Sequence, residues 1–400
     1  MAFRSLLLTF SGLTSIVHAR SSAFALDPGF DIEAVAKLAE SLPSHSWEFG
    51  TACEMLMELY TPEFSVFGDA PFPAPFLDPS SNPSLTYAQK VILLDYPGAK
   101  NGLSEGDGAV GDPASMGISA YLLGKTNASY AEGARKEIQF QLDAPRWPNG
   151  AISHRQDVAE LWADFGYMSP PFMAYYAAET FNTTMLDDAV RQGMYYREVL
   201  QGNDTSAPWY GVWHHIIGPQ STDLGLWTTG NGWFAAGMTR VLATVKKAPA
   251  SLLLGHEWKQ EAVGNLTQVI KEIVDGVVNS ELVDGLVRNY IDSITEPNGF
   301  PEISGSAMIA NVIYRMAVLA PETFGGEYVA WADAMRETLG GADSDGNPHV
   351  TANGTVTPAV NPLDWFDTKP YTAGSPEGQN FVVLMYAAWR DCVYAGLCSI

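Results

Sequence analysis

A carboxylate in the middle of an aromatic run is the first feature of this sequence that suggests chemistry. The stretch HRQDVAELWADFGYMSPPFMAYYAAE, residues 154–179, sets Asp164 among Trp162, Phe165, Tyr167, Met168 and Phe172. Burial there is expensive unless the group is paired, protonated or used in a reaction. The Asp157-x-x-Glu160 pattern predicts a capped helix start, which puts Glu160 and Asp164 on one helical face, with Pro170 and Pro171 stopping or kinking that helix beyond Met168. Capping accounts for Asp157 without chemistry. For Asp164 the plain alternative is an ion pair with an arginine.

Three further stretches combine reactive or sugar-binding residue types. In GLWTTGNGWFAAGM, residues 225–238, Gly230-Asn231-Gly232 reads as a turn before an amphipathic helix, flanked by Trp227 and Trp233. Tryptophan faces stack on sugar rings while their polar tips stay wet, although a tryptophan pair also serves as core packing. Just upstream, WYGVWHHIIG holds His214 and His215, whose side chains point in different directions, so that at most one faces a shared site. Glu302 sits in a glycine-bounded turn before an apolar helix, where a cap and a site residue are both reasonable. The glycine-rich GLSEGDGAVGDPASMG carries Asp107 and Asp112, the latter ahead of Pro113 as in a cap-then-proline helix start. G-x-S-x-G, HExxH, paired CxxC and Walker patterns are absent, and DSDGN at 343–347 runs into Pro348 without calcium-loop spacing. No metal or cofactor is expected.

The elements that must position these residues read as helices in pairs. Segments 113–142, 171–200, 232–274 and 306–339 each read as helix, turn, helix, with apolar residues at i, i+3, i+4 and i+7, as in Leu186, Ala189, Val190 and Met194. Units returning at roughly 55–75 residues fit about six hairpins, the content of an all-α (α/α)6 barrel with long loops around a funnel. An open α-solenoid is the alternative.

The bulk properties bound the setting. Residues 1–19 combine Arg4, an apolar run and small side chains at Val17 and Ala19, the pattern of a secretory signal, leaving 20–400 as a single barrel domain. Five N-x-S/T sequons, at Asn127, Asn182, Asn203, Asn265 and Asn353, agree with a secreted, extracellular glycoprotein carrying N-linked glycans. Of the three cysteines, Cys392 and Cys398 make the simplest bridge, although Cys53 could be a partner. A net charge of −23 argues against nucleic acid and anionic membranes as partners.

Taken together, GAISHR…ELWADFGYMSPPFMAYYA, LWTTGNGWFAAGMTRVLAT, FPEISGSAMIA and GSPEGQNFVVLMYAAWRD resemble the unsaturated rhamnogalacturonyl hydrolases of glycoside hydrolase family 105, which are related to the unsaturated glucuronyl hydrolases of family 88, and the secreted fungal branch above all. The resemblance implies an (α/α)6 barrel. It also implies removal of a terminal 4,5-unsaturated uronic acid from lyase-generated oligosaccharides by hydration of the double bond. Trp162-Ala163-Asp164 matches the family's Trp-x-Asp motif, which makes Asp164 the general acid and base, and an apolar setting would keep it protonated as a donor. Asp112 corresponds to the assisting aspartate. His154 and one of His214 or His215 resemble the substrate-contacting histidines, Trp227 and Trp233 the aromatic wall, and Asn231 and Glu302 fall in matching motifs. Many relatives have Trp-Ala-Arg-Gly-Asn-Gly-Trp where this chain has Thr229, so that Arg155 or a histidine must supply the charge for a uronate carboxylate. Two other readings stand beside this one: a six-hairpin hydrolase of another glycan, and a catalytically silent carbohydrate-binding barrel.

Overall fold

The computed structural model describes residues 23–98 and 100–400. The segment read as a secretory signal lies outside the described residues. Fourteen helices dominate the described chain. Six of the elements are nearly all buried: α2 (Ser46–Tyr60), α4 with α5 (Gly111–Ala114, Gly117–Gly124), α7 with α8 (Phe165–Met168, Pro170–Thr180), α10 (Thr228–Lys247), α12 (Ile303–Leu319) and α14 (Pro376–Tyr394). They touch in that order, and α14 returns to α2, so the ring is closed.

Each inner element pairs with a more polar outer helix: α1 (Ile32–Ser41), α3 (Pro83–Val91), α6 (Ala128–Leu142), α9 (Thr183–Leu200), α11 (His256–Val278) and α13 (Glu327–Leu339). The first described helix is an outer one, and α1 therefore packs on α14 near the far end of the chain. The expected (α/α)6 barrel is the observed fold. The outer helices bury one face only, as in α9, where Met185, Leu186, Ala189, Val190, Gly193 and Tyr196 point inward.

Small residues let the inner helices meet. A Cβ on Gly237 of α10 would run into the backbone of Gly166 in α7, and one on Gly166 would run into the Phe234 ring. Gly230, Asn231 and Gly232 are accordingly helical, inside the first turns of α10, and do not form the expected turn before it. Pro170 and Pro171 open α8 directly after α7 stops at Met168, because proline lacks the N–H that a first turn leaves unused.

A short three-stranded antiparallel sheet forms at the mouth, from β1 (Leu161–Trp162), β2 (Ile216–Ile217) and β3 (Thr222–Asp223). Trp162 faces Ile216, and Ile216 faces Asp223. This sheet replaces the helix expected from Asp157: residues 157–160 are irregular, Asp157 is exposed 3.7 Å from Lys100, and Glu160 and Asp164 share no helical face. Cys392 is bonded to Cys398, and Cys53 is a buried free thiol. No described helix is long and apolar enough to cross a membrane.

Candidate active site

All six inner elements present their N-terminal ends to the same end of the barrel, and the residues singled out in the sequence gather there. Asp164 precedes α7, directly after β1, and is half-buried. Its Oδ1 is enclosed and has no hydrogen-bond partner. No described arginine pairs with it, so the ion-pair alternative fails. Asp112 lies inside α4 and is not its cap; its backbone oxygen accepts from the Ser115 hydroxyl at 2.6 Å, leaving the carboxyl group free. Burial first, and the charge of Asp164 second, push Asp112 well above the usual carboxylate range, while Arg155 opposes the shift. Asp112 is therefore drawn toward its protonated form.

His154 stacks on Trp162 with ring centroids 4.7 Å apart, and its Nδ1 is buried without a partner. Burial lowers it to about 4, against the pull of Asp164, so the ring is neutral at mildly acidic pH. Arg155 is the cation of this cluster. Its Nη2 donates to the Asp107 carbonyl oxygen at 2.9 Å, passing so close to Gly108 (φ +78°) that a side chain there would collide with the guanidinium.

Of the adjacent histidines, His215 enters the site. Its Nδ1 lies 3.0 Å from Asp223 Oδ2, and the Tyr290 hydroxyl donates to the same oxygen at 2.5 Å. A carboxylate can only accept from these groups, which puts the His215 proton on Nδ1 and leaves Nε2 open. Burial alone would raise Asp223, but the hydrogen bonds from His215 and Tyr290 outweigh it and hold the carboxyl below its ordinary range. His214 turns away, with Nδ1 2.6 Å from the Leu224 carbonyl oxygen.

The aromatic wall differs from the expected one. Trp227 caps α10, packs 4.4 Å from the His215 ring and donates through Nε1 to Asn289 at 3.0 Å. Trp233 is 1% exposed, wedged between Tyr167 and Phe381, so it belongs to the barrel core and has no face left for a sugar. Its place is taken by Trp162 and Trp365, both half-buried, with centroids 5.6 Å apart and each edge-on to His215. Trp365 carries no local signal in the sequence. It sits in an irregular return after α13, and only closure of the ring brings it to Trp162. A cavity of about 370 Å³ opens beside it, lined by Ile216, Thr222, Asp223, Leu363 and Phe366 among others.

Two expected binding residues prove to be struts. Asn231 is wholly buried, accepting from Trp213 N–H at 2.9 Å and donating to the carbonyl oxygens of Trp213 and Trp227. Glu302 caps α12: its two oxygens accept from the backbone of Ser304, Gly305 and Val360 at 2.7–2.9 Å and from the Thr229 hydroxyl at 3.2 Å. Thr229 is thus committed to this cap. Glu160, which the sequence placed beside Asp164, also braces the wall, accepting from Trp162 Nε1 at 2.7 Å and from Gln220 and Ser221 N–H at 2.9 and 2.8 Å. No group of three or more His, Cys, Asp or Glu among the described residues could hold a metal ion.

A closed six-hairpin barrel with a carboxyl pair and tryptophans at its mouth is the architecture of the six-hairpin glycosidases. The sequence model of Glycosyl Hydrolase Family 88 matches residues 112–390, from Asp112 to Arg390. The chain belongs to glycosyl hydrolase family 88 and is a glycoside hydrolase. Among solved structures, a possible member of family GH105 from Salmonella enterica is similar at 14% identity and TM-score 0.64, covering 98% of this chain and 96% of the other. A family 88 glycosyl hydrolase from Bacteroides vulgatus is similar at 13% identity and TM-score 0.60, covering 96% and 99%. So is a structure of a UGL variant with dGlcA-Glc-Rha-Glc, at 15% identity and TM-score 0.59, covering 91% and 96%. At such identities these likenesses speak for the fold. No curated protein matches the chain by sequence.

Proposed function

We propose that this glycoside hydrolase removes a terminal 4,5-unsaturated uronic acid from lyase-generated oligosaccharides of the pectin or rhamnogalacturonan type. Asp164, in its protonated form, delivers a proton to C4 of the enol ether, with Asp112 also drawn toward the protonated form. Positive charge then develops at C5 and the ring oxygen. Water adds at C5 and returns its proton to Asp164, and the hemiketal opens to release the aglycone. No glycosyl-enzyme bond forms. The observation that carries this reading is the enclosed, unpartnered Oδ1 of Asp164, with Asp112 drawn toward its protonated form. Trp162 and Trp365 offer faces for the sugar, His154 and the Nε2 of His215 offer polar contacts, and Arg155 takes the carboxylate in place of an arginine at position 229. The oligosaccharide of the UGL structure, dGlcA-Glc-Rha-Glc, is in keeping with a sugar of this class.

The same reading makes the protein secreted and N-glycosylated. Four sequon asparagines, Asn127, Asn182, Asn203 and Asn353, are exposed, and Asn265 is half-buried on α11. Loss of the double bond's ultraviolet absorbance tests the chemistry, on unsaturated rhamnogalacturonan, homogalacturonan and glucuronan fragments at mildly acidic pH. Consumption by the wild type and not by Asp164→Asn supports the reading; a double bond left intact on all three removes it. Mobility on gels before and after glycosidase treatment of protein secreted from a eukaryotic host tests the glycans.

A further inference from the structure

Five of the inner elements carry a carboxyl residue in their first turn or at their cap: Glu48 on α2, Asp112 on α4, Asp164 ahead of α7, Glu302 on α12 and Glu377 on α14. Two of these are spent on caps. Glu48 Oε2 accepts from Ser44 and His45 N–H at 2.6 and 3.0 Å, and Glu302 is filled as described above. Glu377 is different. It is 4% exposed, its Oε1 accepts from Trp47 Nε1 at 3.0 Å, and its Oε2 is buried with no partner. A buried polar atom left unpaired is costly, so this orphan needs a reason.

We propose that Glu377 is a substrate-binding residue of this site, whose free oxygen engages a hydroxyl group of the sugar ring on which Asp164 acts. The inference rests on the function proposed above. Burial and the charges of Glu48, Asp164 and Glu302 push the Glu377 carboxyl well above the ordinary range, against the Trp47 hydrogen bond. Glu377 opens α14 at the same end of the barrel as Asp164, and its carboxyl group is drawn toward the protonated form. An uncharged carboxyl group suits an anionic sugar: it donates through its hydroxyl and does not repel the uronate. A charged carboxylate there would weaken binding in a chain that already carries −23.

The experiment is a pair of substitutions, Glu377→Gln and Glu377→Ala, each checked for an intact thermal midpoint. Affinity for an unsaturated disaccharide is measured by calorimetry in the Asp164→Asn background, and kcat and KM are measured with Asp164 in place. The alanine variant is expected to lose about tenfold in affinity, the worth of one hydrogen bond, and to raise KM more than it lowers kcat. The glutamine variant keeps a donor and should stay within about threefold of the parent. If the alanine chain does not fold, Glu377→Met fills the same space and reads the same loss. Alanine or methionine variants that bind as tightly as the parent overturn the proposal, and so does a glutamine variant no better than alanine. Should the wild type leave the double bond untouched, the proposed reaction falls, while the same affinity series with galacturonic acid still judges Glu377.

Discussion

The two ends of the barrel bury the same kinds of groups and treat them in opposite ways. Toward the C-terminal ends of the inner helices, Glu58 Oε1 and Oε2 pair with Arg240 and Arg315, Glu54 pairs with Arg240 at 3.0 Å, and Asp391 pairs with Arg315 at 2.6 Å and Arg390 at 2.9 Å. Arg240 also donates to the Tyr167 hydroxyl at 3.0 Å, and Arg390 donates to the Glu58 and Leu59 carbonyl oxygens at 2.7 Å. Each carboxylate there has its cation. At the N-terminal ends, Asp164 Oδ1, His154 Nδ1 and Glu377 Oε2 are enclosed without partners, and Asp112 is drawn toward its protonated form. Burial alone does not mark function in this fold. Among these carboxyl groups, the distinction lies in whether a cation within the chain answers the buried group.

The largest break in that comparison should come from Asp164→Asn. Because Oδ1 makes no internal hydrogen bond, the change should leave the melting temperature in place while kcat falls by roughly 10²–10⁴, the usual worth of a general acid or base. Stopped absorbance decay with an unchanged melting curve is the expected pair of results. A variant that melts early would move Asp164 to the structural side.

Glu58→Gln makes the converse test at the other end. It leaves Arg240 and Arg315 short of their shared partner, and breaking a buried pair from one side typically costs about 3–5 kcal/mol. Urea denaturation should show this loss, while the protein that remains folded turns over substrate within a few-fold of wild type. A selective loss of kcat without loss of stability would mean that the network reaches the site.

This contrast also separates what could be read in the sequence from what could not. Outer helices and hairpins such as 171–200 show the helical period because one face stays wet. In α14, by contrast, burial is nearly complete and periodicity has little to report. Asp112 and Asp164 stood out as carboxylates in unusual local company. The Asp157–Glu160 pattern misled because pairing of Leu161 and Trp162 with β2, about 55 residues away in the chain, overrides a local capping preference. Trp365 and Glu377 were out of reach for a related reason. Each gains its role from partners brought in by ring closure, Trp162 for one and Trp47 for the other.

Between the two extremes stands His154, buried without a partner yet able to avoid charge by releasing a proton. Its folded value of about 4 lies below the 6.5 of an unperturbed histidine, so the unfolded chain takes up a proton first as pH falls. Its contribution to stability is complete above pH 6.5 and is lost as the pH falls toward 4, by at most about 3 kcal/mol. His154→Phe should remove that dependence. Denaturation midpoints of the two proteins should converge, or cross, between pH 7 and 4, and parallel midpoints would mean that His154 is not held neutral.

The smallest effect sharpens the comparison most, because Asp223 combines both habits. It is paired, as at the far end, yet the pairing serves a site residue by fixing the proton of His215 on Nδ1. Tyr290→Phe removes one of the two side-chain donors that keep Asp223 ionised, at about 1.5 kcal/mol for a hydrogen bond to a charged group. Asp223 then takes up a proton at higher pH than before, and a protonated Asp223 no longer holds the ring of His215 in one orientation. The loss of kcat/KM should therefore be about tenfold at the acidic end of the profile and shrink as pH rises, with the acid limb displaced upward. A loss of equal size at every pH would show that Tyr290 acts through packing against Phe366 and not through Asp223.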